Sequence, residues 1–213
     1  MSAARIGILI SGGGRTALNI AAACASGAID ARVAIVIAHR EETEGVARCR
    51  AAGLRVAVVP ADAHLADALA DRVDAALEAA QVDLVCLAGY LRHFRVGAAW
   101  RGRTLNIHPG LLPEFGGHGM YGLRVHRAVI DAGARESGCT VHEVDEVYDR
   151  GPEVLVRKCA VLAGDTAETL AERVFAEECL AYPEAIRRFL ARRAAPATAT
   201  ATATATALHG VRA

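Results

Sequence analysis

The chain has 213 residues, of which 53% are hydrophobic and 23% charged, so it has the material for one large core and is no low-complexity or fibrous sequence. Its 24 lysines and arginines balance 24 aspartates and glutamates, which removes the electrostatic footprint that nonspecific nucleic-acid binding requires. The apolar run near the N-terminus is far too short to span a bilayer and carries no signal-peptide cleavage pattern, so a soluble, cytoplasmic protein with no membrane or nucleic-acid partner is expected.

In chain order, Arg5–Ser11 (RIGILIS) reads as a buried strand, followed by the loop Ser11–Thr16 (SGGGRT) and a helix from Thr16 to Ser26. Strands are predicted at Arg32–Ala38, Leu54–Pro60 and Val82–Gly89, and helices at Glu41–Gly53 and Asp62–Ala80. Apolar strands alternating with amphipathic helices predict an α/β fold, a Rossmann-like and mostly parallel sheet with helices on both faces. The texture then changes. Thr104–His108 (TLNIH) is a short strand stopped by Pro109. A glycine-rich loop, Glu114–Gly122, precedes a short helix from Leu123. Two further strands, Gly138–Val144 and Glu153–Ala163, predict an antiparallel hairpin with a long connection in the C-terminal half. A last helix from Ala167 to Arg193 is expected to be interrupted at Pro183. Residues 1–193 are read as one domain, with a phosphate-binding half (1–100) and a catalytic half (101–193). The Ala/Thr repeat of 194–213 is read as a disordered tail.

The six cysteines are scattered without a C-x-x-C pair, which suits reduced core residues. The eight histidines form neither H-x-x-x-H nor H-E-x-x-H, so no metal is expected.

Two segments carry chemistry. Glycines in Ser11–Thr16 let the backbone approach a ligand, and the partnerless N–H groups of the following helix favour an anion. Gly12, Gly14 and Ala17 also approximate a dinucleotide fingerprint, and Arg40 after the second strand would suit a phosphorylated dinucleotide; a non-catalytic NADP-binding module is therefore the alternative of a different class. In TLNIH, strand alternation sends Asn106 and His108 to one face, at the carboxyl end of a strand, where parallel sheets bind ligands. A carboxamide donor beside an imidazole, with no Ser or Cys nucleophile nearby, fits attack by a substrate nucleophile on a carbonyl. A carboxylate orienting the His would favour its protonated form. Asp145, Glu146 and Asp149 compete for that role on spacing alone.

Taken together, ILISGGGRTALNI, LAGYLR, LNIHPGLLP, DRGP and ECLAYPEAI resemble the folate-dependent formyltransferases, and among them the phosphoribosylglycinamide formyltransferase family of purine biosynthesis, over residues 5 to 192. The resemblance implies transfer of a formyl group from 10-formyltetrahydrofolate to the amine of 5-phosphoribosylglycinamide. It implies that Asn106 and His108 hold the developing oxyanion, and it selects Asp149 as the carboxylate supporting His108. Gly14, Arg15 and Thr16 match the family's phosphate site, and Glu178 a carboxylate that contacts the same substrate. Leu91, Arg92, His93 and Phe94, with Asp145, Glu146, Val147 and Tyr148, match the segments that enclose the pterin of the folate. The chain departs from the family at Gly110, where serine is common, at Arg15, where a small polar residue is usual, in the longer loop 114–122, and in lacking a clear arginine for the folate tail. Two relatives sharing the Asn-x-His pattern, a transfer-RNA formyltransferase and a formyltetrahydrofolate hydrolase, would be expected to carry an additional domain.

Overall fold

A computed structural model describes residues 3–60 and 66–194. Of the predicted tail at 194–213, Ala194 ends the last helix and residues 195–213 lie outside them, as does the start of the predicted third helix. Seven strands form one sheet: β1 Ala4–Ile10, β2 Ala31–Ala38, β3 Val56–Val58, β4 Leu84–Leu87, β5 Thr104–His108, β6 Glu136–Glu143 and β7 Glu153–Ala160. Five helices accompany them: α1 Arg15–Ala25, α2 Glu44–Ala51, α3 Ala66–Ala79, α4 Leu123–Asp131 and α5 Ala167–Ala194. The strand order is β3-β2-β1-β4-β5-β6-β7. Strands β1 to β5 run parallel, while β6 is antiparallel to β5 and β7 to β6. The expected mixed α/β sheet with a C-terminal antiparallel hairpin is borne out.

Strand alternation builds two apolar layers. Ile6, Ile8 and Ile10 of β1, with Leu84 and Cys86 of β4, pack toward α1, α2, α4 and α5. Leu9, Ile35, Ile37, Val85 and Leu87 face the other way, onto α3 and Trp100. Runs that are apolar on both faces are what a parallel sheet covered on both sides needs. The chain builds outward from β1 through β2 to β3, then returns to place β4 on the other side of β1. The crevice between the carboxyl ends of β1 and β4 is thus the point where the winding reverses.

The last helix corrects one expectation. It runs unbroken for 28 residues through Pro183. Proline removes one helical N–H and crowds the preceding turn, but the segment is fixed from outside. Ala181, Tyr182, Ala185, Ile186 and Phe189 are all in the core. The buried Tyr182 hydroxyl lies 3.0 Å from the Leu87 carbonyl and 2.9 Å from that of Leu105, clamping α5 to β4 and β5. All six cysteines are free, and burial pushes every thiol up, so none is an activated thiolate. Among the described residues no helix is long and apolar enough to cross a membrane.

Candidate active site

A cavity of about 650 Å³ opens at the carboxyl ends of β1, β4 and β5. Its two ends have different chemistry. At one end β1 runs into the glycine loop. Gly14 takes a left-handed φ of 72° as the N-cap of α1 and offers no side-chain cap, leaving the first-turn N–H groups without intrahelical partners. A Cβ on Gly14 would come within 2.8 Å of the Gly45 Cα, so the loop seats directly on α2. Gly14 itself does not line the cavity; Gly12, Arg15 and Thr16 do, and Glu178 faces them from α5. Burial pushes the Glu178 carboxyl up to about 7, against the opposing effect of the Arg15 charge.

The other end is lined by Leu91, Arg92, His93 and Phe94 after β4, and by Asp145, Glu146, Val147 and Tyr148 in the β6–β7 connection. Leu91, Val147 and Tyr148 expose about half or more of their surface there, giving a broad apolar lip. Tyr148 meets the His93 and His118 rings edge-on, with centroids 5.7 and 5.9 Å away, so it spans the rim between the β4 loop and the long glycine-rich loop. Ser11 braces this arrangement by accepting a hydrogen bond from the Leu91 N–H at 2.8 Å.

Between the two ends lies a buried polar cluster. The end of β5 presents Asn106 and His108 to the cavity, while Leu105 and Ile107 sit in the core behind them. Asp149 reaches the cluster from the β6–β7 connection with φ 55°, a conformation uncommon for a residue with a side chain. Its loop is pinned at Gly151, where a Cβ would lie 1.8 Å from the Glu143 carbonyl oxygen. Asp149 Oδ2 accepts the Gly117 N–H at 2.9 Å and stands 3.6 Å from His108 Nδ1. Its Oδ1 lies 3.4 Å from His142 Nε2.

His142 belongs to the site and is absent from the sequence-based set. Residue 142 pairs directly with Asn106 across β5 and β6. His142 Nδ1 lies 2.9 Å from the Glu143 carbonyl, so the neutral ring carries its proton there. Nε2 is then the acceptor for the Asn106 amide at 3.1 Å. This fixes the carboxamide and leaves one of its two N–H groups uncommitted. The available signal was the alternation in GCTVHEV, which places Thr140 and His142 on one face; the cross-strand register that sets His142 against Asn106 is not written in either segment.

His108 is held on both ring nitrogens' sides. Its Nε2 donates to the Phe115 carbonyl at 2.7 Å. Asp149 favours the charged ring, but burial outweighs it and holds the His108 pKa below 6.5. The resting ring is therefore neutral near pH 7, with its lone pair on Nδ1, toward Asp149. Burial raises the Asp149 pKa, but a protonated His108 and His142 beside it favour the carboxylate and the Gly117 N–H donates to it, and together these bring it below the usual value. Gly110 is explained by the same crowding. A Cβ there would sit 2.8 Å from Val125 and 3.2 Å from His108 Nε2, so a larger residue would have to displace one of those side chains. His126 lines the same wall, buried, with Nδ1 unpartnered and its pKa pushed down to about 4. Among the described residues no cluster of three or more His, Cys, Asp or Glu is placed to hold a metal ion.

A cavity at the winding reversal of a mixed α/β sheet, with an amide donor, a neutral imidazole and a buried carboxylate at its centre, has the form of a ligand site of the Rossmann-like class of α/β proteins. Residues 4–186 match the formyl transferase family model, and the chain belongs to that family. It is 40% identical over 187 residues to the chloroplastic phosphoribosylglycinamide formyltransferase of Arabidopsis thaliana, covering 85% of this chain and 64% of that protein. A second chloroplastic relative, from Vigna unguiculata, is covered to 62%, so the chain spans a little under two thirds of these plant relatives. The phosphoribosylglycinamide formyltransferase of Haemophilus influenzae is 34% identical, covering 87% of this chain and 86% of that one. Among solved structures, glycinamide ribonucleotide transformylase 1 from Symbiobacterium toebii superposes with a TM-score of 0.77 at 43% identity, covering 89% of each chain. The resemblance inferred from the motifs is borne out.

Proposed function

We propose that the protein transfers the formyl group of 10-formyltetrahydrofolate to the amine of 5-phosphoribosylglycinamide, in purine biosynthesis. The observation that carries this reading is the placement of Asn106, His108 and Asp149 between an anion-binding helix start and an apolar lip in one cavity. The lip of Leu91, Val147 and Tyr148 fits a flat heterocycle, and Arg92 to Phe94 supply backbone groups beside it. The free amides of α1, with Arg15 and Thr16, fit a phosphomonoester. Glu178, on the substrate side, contacts the ribonucleotide.

The folate supplies the formyl group; the chain's residues bind, orient and move protons. The free N–H of Asn106 donates to the formyl oxygen as the amine's lone pair forms the new N–C bond and the carbonyl π pair moves onto oxygen. The attacking nitrogen becomes positively charged and must lose a proton. His108 Nδ1 accepts it, and the imidazolium forms beside the Asp149 carboxylate. The ion pair exists only after attack, so it stabilises the later stages of the reaction more than the bound substrates. His108 returns the proton to the departing folate nitrogen as the old N–C bond breaks. The protonated ring is thus a product of the first step rather than a resting state, and holding the oxyanion falls first to Asn106.

Incubation with both substrates, followed by mass spectrometry of the ribonucleotide, tests the reading. A gain of one formyl group with equimolar tetrahydrofolate is expected. Consumption of the formyl folate with release of free formate and an unchanged ribonucleotide would assign a hydrolase instead.

A further inference from the structure

Arg15 does more than sit at the start of α1. Its guanidinium crosses to α5, where its two terminal nitrogens meet the two Glu172 oxygens at 2.6 and 2.7 Å. The same guanidinium lies 3.8 Å over the face of Phe175. Arg15, Glu172, Phe175 and Glu178 all line the phosphate end of the cavity, the last three along one face of α5 at successive three-residue steps.

A carboxylate held by both arms of a guanidinium copies the sign of the charge and the two-point geometry of a bound phosphate. We propose that Glu172 is an internal stand-in for the substrate's phosphate: it holds the Arg15 fork in shape in the empty site and is displaced when a phosphomonoester reaches the α1 amides. Phe175 keeps the guanidinium plane in place during the exchange, because the attraction between a cation and a ring face does not depend on the carboxylate. The exchange is cheap. Arg15 and Glu172 side chains are 47% and 65% exposed, and solvent screening keeps such surface pairs weak. The phosphate gains the α1 amides as well, which Glu172 does not contact. Neutralisation of Glu178 near pH 7 reduces the negative charge the phosphate meets on α5.

This inference rests on the glycine loop being the phosphate end of the site, and it is tested without the formyl transfer step. Inorganic phosphate and ribose 5-phosphate are titrated calorimetrically into the full-length protein at constant ionic strength. Removing the competitor by Glu172→Gln is expected to tighten both ligands about two- to fivefold, and Phe175→Leu to weaken both. In an Arg15→Gln background the gain from Glu172→Gln is expected to shrink to that of distant charge repulsion alone. Weaker or unchanged binding in Glu172→Gln overturns the proposal, since Glu172 would then be a fixed support for Arg15 or of no consequence. An equal gain in both backgrounds overturns it too, because the effect would not pass through Arg15. Failure of the wild type to bind either ligand removes the phosphate end itself. Successful formyl transfer with unaltered phosphate affinity in Glu172→Gln would sink the stand-in alone.

Discussion

Asn106 is the residue whose proposed role is most sharply tied to its surroundings, because His142 holds one of its amide protons and leaves the other uncommitted. Its replacement by alanine should lower kcat by roughly 10²–10³, the usual loss for one oxyanion donor. In the proposed mechanism His108 works as a base in the neutral form, and burial holds its pKa below 6.5. The rate should therefore hold level through neutral pH and fall as acid protonates the ring, with a midpoint below 6.5 in the pH profile of kcat/KM. A His108→Ala protein should lose that acid limb along with about 10²–10⁴ of the rate. His126 makes a stability prediction of the same sign. Its pKa is near 4 in the fold against 6.5 unfolded, so below pH 6.5 the unfolded chain binds more protons and stability falls as pH drops toward 4. The loss is on the order of 3 kcal/mol. Denaturant midpoints measured from pH 7 to pH 4 should fall less steeply in His126→Gln than in the wild type.

At the scale of elements, α5 is the clamp. Tyr182 meets the Leu87 carbonyl at the end of β4 and the Leu105 carbonyl near the start of β5, the strands that deliver the β4 loop and Asn106 to the cavity. Tyr182→Phe should cost about 1–2 kcal/mol in denaturant unfolding, since buried carbonyls lose their donor. The same helix shows where reading the chain reaches its limit. The strands were legible because parallel strands buried on both faces write continuous apolar runs, and TLNIH marked its own end with Pro109. Pro183 misled because a local rule for proline takes no account of five core side chains that hold the segment helical. His142 was missed for a related reason. Its importance is a matter of register, and which β6 residue stands opposite Asn106 depends on how the intervening loop and α4 return the chain to β5, which neither segment alone reveals. The expected effect of Asp149 on His108 had the right sign, yet burial outweighed it, and burial is a property of the assembled loops Gly110–Gly117 and Asp145–Gly151. The Arg15 partners, 157 and 160 positions away, could be found only once the chain was folded.

Across the whole molecule, one sheet carries both halves of the site. The glycine loop follows β1, the lip follows β4, the reacting groups close β5, and the long β6–β7 connection returns Asp149 to meet them. A ligand that fills only one end should still stabilise the fold. Each substrate alone is expected to raise Tm, and the rise should grow with ligand concentration as mass action requires. NADPH serves as the control for the dinucleotide reading of Gly12, Gly14, Ala17 and Arg40. A shift with NADPH and none with formyl folate or phosphoribosylglycinamide would favour a nucleotide-binding module, under which the buried cluster of Asn106, His108, His142 and Asp149 has no task.

The most direct test is the steady-state rate of formyl transfer from 10-formyltetrahydrofolate to phosphoribosylglycinamide by the wild type, Asn106→Ala and Asp149→Asn, with folding of each verified by its denaturation midpoint. The expected result is turnover by the wild type and loss of at least about a hundredfold in Asn106→Ala, with Asp149→Asn also impaired because the imidazolium formed during the reaction loses its counter-charge. Wild-type turnover matched by either folded variant would contradict the account.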